Sequence, residues 1–364
     1  MNLTSLELFS GCGGLAKGLE NAGFEHRAFV EFNAHACASL RQNFAPTLVH
    51  EMDVRDFDFA SVGAVDLIAG GPPCQPFSLG GLAKAQDDRR DMFPQAARAI
   101  SEVSPKAFIF ENVKGLLRKG FVHYFEYIVR RLTFPDCSAR PREPWQEHAE
   151  RLGQLQFETY AGLKYRVQYR LLNAADFGVP QIRERVFIVG VRADLSAEWK
   201  WPEPTVTPET RLTVRDAVKH LPDPRLADPA LWDHTFIDGA RVYPGHTGSA
   251  IDKPGKTIKA GAHGVPGGEN MIRFEDGSVR YMSVREAKLI QTFPENFKIL
   301  GTWGEALRQI GNAVPVRLAE IVGRAMARTL REAQPPVCEV RMFPLKKKDK
   351  RDFLKTPLDV RVMV

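Results

Sequence analysis

The sequence predicts an α/β protein: a doubly wound, Rossmann-like sheet domain joined to a smaller module of loops and short strands. Three observations carry this. Short apolar runs alternate with stretches of helical spacing over residues 3–113, as βαβ units require. The runs end in glycine turns or carboxylates, as strands do at the ligand-binding edge of such a sheet. From residue 199 onward, prolines and glycines interrupt the chain too often for long helices or a regular sheet.

Taken in order, residues 3–9 read as a strand, followed by the turn Ser10-Gly11-Cys12-Gly13-Gly14 and a helix over 15–22 that Gly23 stops. Residues 28–31 form a second strand ending on Glu31, residues 34–43 a helix, and 48–50 lead to Asp53 at the next strand end. Residues 65–69 form a fourth strand, 93–103 a helix and 107–113 a fifth, strongly apolar strand. Residues 135–164 have the look of an insertion, read as surface decoration with a charged helical patch over 145–155. Two further strands, 165–172 and 186–191, flank the polar loop 178–185. In the second module, 214–221 and 285–292 have helical spacing, and 272–274 with 279–281 form a hairpin about Asp276-Gly277. Helices over 306–310 and 316–330 follow, separated by Gly311-Asn312-Ala313-Val314-Pro315. Past residue 334 the tail is basic, either a polyanion-binding arm or a solvated end.

With 364 residues the chain has room for two domains, and its 44% hydrophobic content supports a large core. A net charge of +6 mildly favours a polyanionic partner. The five cysteines are scattered without a C-x-x-C pair, which argues against a zinc ribbon or a disulfide framework and fits a reducing, cytoplasmic setting. No apolar run approaches the ~20 residues that span a bilayer, and the N-terminus lacks the pattern of a signal peptide, so no membrane partner is expected.

Chemistry concentrates in Gly70-Gly71-Pro72-Pro73-Cys74-Gln75-Pro76-Phe77-Ser78. Its glycines and prolines forbid helix and ladder alike, so the strand before it must end in a fixed loop carrying one thiol. Alone, that loop is as compatible with a buried structural cysteine as with a nucleophile. The glycine turn after the first strand and the acid ending the second form the general layout for an adenosine-containing cofactor. The turn departs from G-x-G-x-x-G, so a nucleoside cofactor without a pyrophosphate fits better.

Together these stretches resemble the C5-cytosine DNA methyltransferase family. The resemblance rests on Glu7-Leu8-Phe9-Ser10-Gly11-Cys12-Gly13-Gly14, Gly71 to Ser78, Glu111-Asn112-Val113, Gln181-Ile182-Arg183-Glu184-Arg185-Val186 and Gly311 to Pro315. They stand in the family's order and, apart from the connection lengthened by 135–164, at its spacings, over about residues 3–330. The resemblance implies S-adenosylmethionine as methyl donor, with S-adenosylhomocysteine as product and no metal. It implies Cys74 as nucleophile on cytosine C6, Glu111 as the acid at N3, Arg185 at the cytosine O2 with Arg183 close by, and Asn112 as a residue fixing the loop. For the cofactor it implies Phe9, Gly11, Gly13, Glu31, Asp53, Pro72, Asn312 and Val314.

A ring atom inside duplex DNA is out of reach of a thiol, so the base must swing out of the stack. Residues 78–90 resemble the family's mobile loop that closes over DNA, which makes Gln75, Ser78 and Arg89 expected DNA contacts. The expected division is a catalytic domain from 1–194 and 305–333, a target recognition domain from 195–304 and a basic tail from 334–364. Base reading is expected from Lys259 and His263 in the glycine-rich stretch 259–270 and from Arg273 and Arg280 on the hairpin, the two arginines being equally suited to phosphates or base edges. The implied partner is double-stranded DNA, bound by a monomer, with a cognate restriction endonuclease in the same system. An RNA cytosine-C5 methyltransferase and a DNA-binding autoregulator on the same scaffold are the alternatives.

Overall fold

The computed structural model describes residues 2–73, 91–260 and 270–333. Cys74, Gln75, Ser78, Arg89, His263 and the tail 334–364 lie outside these residues. The first half runs β1 (Leu3–Leu8), α1 (Gly14–Asn21), β2 (Phe24–Glu31), α2 (Ala34–Asn43), β3 (Val49–Glu51), β4 (Leu67–Gly70), α3 (Phe93–Val103) and β5 (Ala107–Val113). Then come α4 (Val122–Thr133), α5 (Trp145–Gly153), β6 (Tyr165–Asn173) and β7 (Glu184–Arg192). Caps account for the sharpest boundaries: the Asn33 side chain accepts from Ala36 N at 3.0 Å to start α2, and Asp91 accepts from Phe93 N at 3.1 Å at the start of α3.

The strands form one seven-stranded sheet in the order β3-β2-β1-β4-β5-β7-β6. The reversal of order about β1 and β4 is the doubly wound topology, and the two faces carry separate apolar clusters. Strand β7 runs antiparallel to β5 and to β6. The ten residues 174–183 between β6 and β7 form a tight connection, with Gly178 at φ +76°, too short for the helix that a parallel crossover needs. The insertion also differs from surface decoration. In α5, Leu152 and His148 are fully buried; His148 Nδ1 lies 3.0 Å from Tyr127 Oη, and Leu152 joins the core beneath α4.

The second half contains α6 (Val214–Val218), β8 (Ser249–Ala250), β9 (Met271–Arg273), β10 (Val279–Tyr281), α7 (Val284–Ile290), α8 (Trp303–Asn312) and α9 (Val316–Glu332). The hairpin β9–β10 turns at Gly277, φ +84°, and β8 adds to it in parallel. A third cluster joins this region to α8 through Ile258, Ile272, Met282, Ile290, Leu307 and Ile310. Helix α9 returns to lie on α1, where Gly18 lets the two backbones meet: a Cβ there would stand 2.4 Å from Ala319 Cβ and 2.6 Å from Glu320 N. Among the described residues no helix is long and apolar enough to cross a membrane.

Candidate active site

The carboxyl ends of β1, β4 and β5 lie side by side, with Leu8 opposite Gly70 and Gly70 opposite Phe110. Open sheets place their ligands on this edge. Glu111 stands on β5 opposite Phe187 of β7, and Arg185 stands opposite Val113. Glu111 and Arg185 are therefore diagonal neighbours on one face, and Arg185 Nε comes within 2.8 Å of Glu111 Oε1. Both side chains are nearly buried. Burial raises the Glu111 pKa above the ordinary carboxylate value, against the pull of Arg185 and Arg183 toward ionisation. The result is a buried acid with a raised pKa next to a cation.

The loop leading to Cys74 passes over this pair. A Cβ on Gly71 would lie 3.6 Å from Glu111 Oε2, so the loop backbone runs close beside the carboxyl. Asn112 Nδ2 donates to the Pro72 carbonyl at 2.9 Å, and Met92 N donates to the Pro73 carbonyl at 3.1 Å. The backbone is thus pinned directly before Cys74 and again where the chain returns after residue 90.

Arg183 is placed differently from Arg185. It is fully buried, and its guanidinium donates to three carbonyls: Ile258 at 3.1 Å, Gly311 at 2.6 Å and Ala313 at 3.0 Å. Those bonds aim it away from a base and into the joint between segments. Sequence alone had set the two arginines together. Arg183 lies just before β7 begins, and its bonds to Ile258, Gly311 and Ala313 separate it from Arg185.

Along β1 and β2 the described residues form a cradle. Phe9 takes φ +54°, a left-handed conformation that costs energy in a non-glycine residue, and Gly11 beside it has φ +53° with open space where a Cβ would be. Gly13 is tightly covered, a Cβ there meeting the Phe44 ring at 2.8 Å. The Glu31 carboxylate accepts from Gly11 N at 2.8 Å, Phe32 N at 3.0 Å and Asn33 N at 2.9 Å, so it ties the glycine turn to the start of α2. Asp53 Oδ1 accepts from Arg55 N at 2.9 Å and its Oδ2 pairs with Arg55 Nη1 at 2.8 Å. Val314 reaches the turn from the other side, its carbonyl 2.4 Å from where a Gly14 Cβ would stand, while Asn312 is exposed. Open backbone at Gly11, a ribose-binding type of acid at Glu31 and aromatic surface fit an adenosine-containing cofactor. One residue was missed from sequence: Phe32 follows Glu31 and is 76% exposed, an aromatic face with no core to cover it. Its signal was an aromatic placed directly after the acid that ends a strand.

In the second module Lys259 enters the stretch expected to read bases, its backbone N and O both bonded to the buried Asn270 side chain at 3.1 Å. The hairpin arginines are not equivalent. Arg280 is taken up by Glu286, with Nη2 to Oε1 at 2.5 Å and Nη1 to Oε2 at 2.6 Å, whereas Arg273 on β9 is exposed.

The model of the C-5 cytosine-specific DNA methylase family matches residues 3–135, 150–247 and 231–328. The chain belongs to this family. It is 35% identical over 346 residues to the Type II methyltransferase M.NgoMIV of Neisseria gonorrhoeae, covering 91% of this chain and 99% of that protein. It is 33% identical to the Type II methyltransferase M.PspPI of Psychrobacter sp., covering 92% of this chain and 81% of that protein. In fold it resembles the Entamoeba histolytica methyltransferase EhMeth, with a TM-score of 0.63 at 16% identity over 91% of this chain and 100% of that one. The protein is thus a DNA cytosine-C5 methyltransferase, and its family implies the use of S-adenosylmethionine. The family match leaves out residues 136–149, the part of the insertion that leads into and begins α5.

Proposed function

We propose that the chain flips a cytosine out of duplex DNA and methylates it at C5 through Cys74, Glu111 and Arg185. The observation that carries this is the buried Glu111–Arg185 pair at the sheet edge, 2.8 Å apart, beneath the loop that Asn112 holds ahead of Cys74. Cytosine C5 is a poor nucleophile because its electrons belong to a conjugated ring. When the Cys74 thiolate forms a bond to C6, the ring π electrons are released toward C5 and N3; a soft, ionisable nucleophile suits this step, which selects Cys over Ser. Glu111 holds a proton at N3 as negative charge develops, which its raised pKa favours. Arg185 donates toward O2 and keeps Glu111 oriented. S-adenosylmethionine supplies the electrophilic methyl group when bound. Loss of the C5 proton to water, expulsion of the thiolate and return of the N3 proton to Glu111 then restore the aromatic ring.

Phe9, Gly11, Gly13, Glu31, Asp53, Pro72, Asn312 and Val314 would hold that cofactor, with Phe32 as a further aromatic wall. Arg183 acts as a positioning residue, since both its terminal nitrogens donate to carbonyls. For DNA, Gln75, Ser78, Arg89, Lys259, His263 and the exposed Arg273 are the proposed contacts, and Arg280 shapes the hairpin through Glu286. The division into 1–194 with 305–333 and 195–304 is supported by α9 lying on α1, although the boundary at 304 falls inside α8. A monomer acting on DNA, paired with a cognate restriction endonuclease, suits the Type II relatives.

Bisulfite sequencing of DNA treated with the purified protein and S-adenosylmethionine tests the reading. It predicts 5-methylcytosine within one short sequence, and a drop of about 10²–10⁴-fold in rate for Glu111→Gln. Full activity in Glu111→Gln would remove the acid from the mechanism.

A further inference from the structure

A second set of polar side chains, outside the reacting pair, lies fully buried where four segments meet. Gln181 and Gln291 are completely buried and Arg183 nearly so. Gln181 Nε2 donates to Gln291 Oε1 at 2.9 Å, and Gln181 Oε1 accepts from Ile258 N at 2.9 Å. Gln291 Nε2 in turn donates to the carbonyls of Ile310 at 2.7 Å and Ala313 at 3.1 Å. Arg183 closes the ring, donating to Ile258, Gly311 and Ala313. Both amide oxygens and both amide nitrogens are therefore hydrogen-bonded.

The ends of this network are functional segments. Ile258 precedes Lys259 and Ala260, where the chain enters the stretch expected to read bases. The backbones meet so closely there that a Gly311 Cβ would stand 2.6 Å from Ala260 N. Ala313 and Val314 contact Gly14 of the cofactor turn. Arg183 and Arg185 share β7's approach, and Arg185 holds Glu111. Buried amides cost free energy wherever a partner is lost, so the arrangement tolerates only one register of the four segments.

We infer that Gln181, Arg183 and Gln291 are positioning residues that hold the chain at Ile258, where it leads into the base-reading stretch, in fixed register with the Glu111–Arg185 pair, so that sequence reading and methyl transfer depend on the same joint. This rests on the DNA methyltransferase reading above. A side chain that served stability alone would change the amount of active protein and leave the choice of site as it was. A positioning side chain changes which sites are methylated.

The test uses the full chain with Gln291→Leu, which keeps the bulk and removes the amide, and Arg183→Lys, which keeps the charge but replaces the planar guanidinium fork with a single nitrogen. Mixed-sequence DNA is methylated and read by bisulfite sequencing, and the affinity for S-adenosylmethionine is measured separately. Expected is a rise of tenfold or more in methylation at sites one base removed from the wild-type target, relative to the target, with cofactor affinity within twofold. Either variant giving that result supports the inference. Unchanged site choice in both, at whatever rate, overturns it, and so does loss of folding in both, since the network would then be part of the fold alone. Wild-type protein that methylates no cytosine at all would instead contradict the underlying activity.

Discussion

At the scale of single residues, burial raises the pKa of two carboxyl groups among the described residues. Glu111 is the one at the reacting edge. The other is Glu7 on β1, whose pKa burial raises to about 8 with neither carboxyl oxygen hydrogen-bonded among the described residues. His26 on β2 stands beside it, Nδ1 3.4 Å from Glu7 Oε1 and 2.9 Å from Ser5 Oγ, and burial lowers its pKa to about 4. Both groups are thereby driven to their neutral forms, so the contact is not an ion pair. The folded chain keeps the Glu7 proton up to pH 8 while the unfolded chain releases it near 4.5, so stability falls as pH rises between those values. His26 acts oppositely between pH 4 and 6.5, where only the unfolded chain takes up the proton. The two cancel between 4.5 and 6.5 and leave a net loss of about 2 kcal/mol from there to pH 8, at ~1.4 kcal/mol per pH unit. Urea unfolding midpoints should therefore decline from pH 6.5 to 8 in the wild type and stay level in Glu7→Gln. Parallel profiles would show that Glu7 is ionised in the fold.

At the scale of elements, glycine decides how closely helices approach. Alanine normally gains up to ~1 kcal/mol over glycine inside a helix. Gly304 in α8 has open space at its Cβ position, so Gly304→Ala should stabilise by that order. Gly18 in α1 faces Ala319 and the α9 backbone, and Gly18→Ala should instead destabilise by about 1–2 kcal/mol through overpacking. Equal and favourable shifts of both in thermal unfolding would mean that α9 does not lie on α1. These elements also separate what sequence could tell from what it could not. The helices 34–43 and 93–103 were readable because their helical spacing is local to the sequence. The direction of β7 was not, because an apolar run has the same pattern whichever way it pairs. The buried face of α5 was hidden by its charge, carried on the opposite side from Leu152. Cys74, Glu111 and the glycine turn could be located from motif order, whereas Arg183 could not be told from Arg185, since only tertiary contacts distinguish a guanidinium bonded to carbonyls from one beside a carboxyl.

At the scale of the whole molecule, a net charge of +6 suits encounter with a polyanion, and the carboxyl ends of β1, β4 and β5 lie side by side with Glu111. The family fixes the product as C5-methylated cytosine in DNA. What remains to be measured directly is the covalent step assigned to Cys74. Duplex DNA carrying 5-fluorocytosine at the target position gives that measurement, because fluorine at C5 cannot leave as a proton does and the adduct stays. With S-adenosylmethionine present, mass spectrometry of the digested complex should find the base joined to the peptide containing Cys74. Turnover conditions that yield no adduct, or an adduct on Cys12, Cys37, Cys137 or Cys338, would contradict the account.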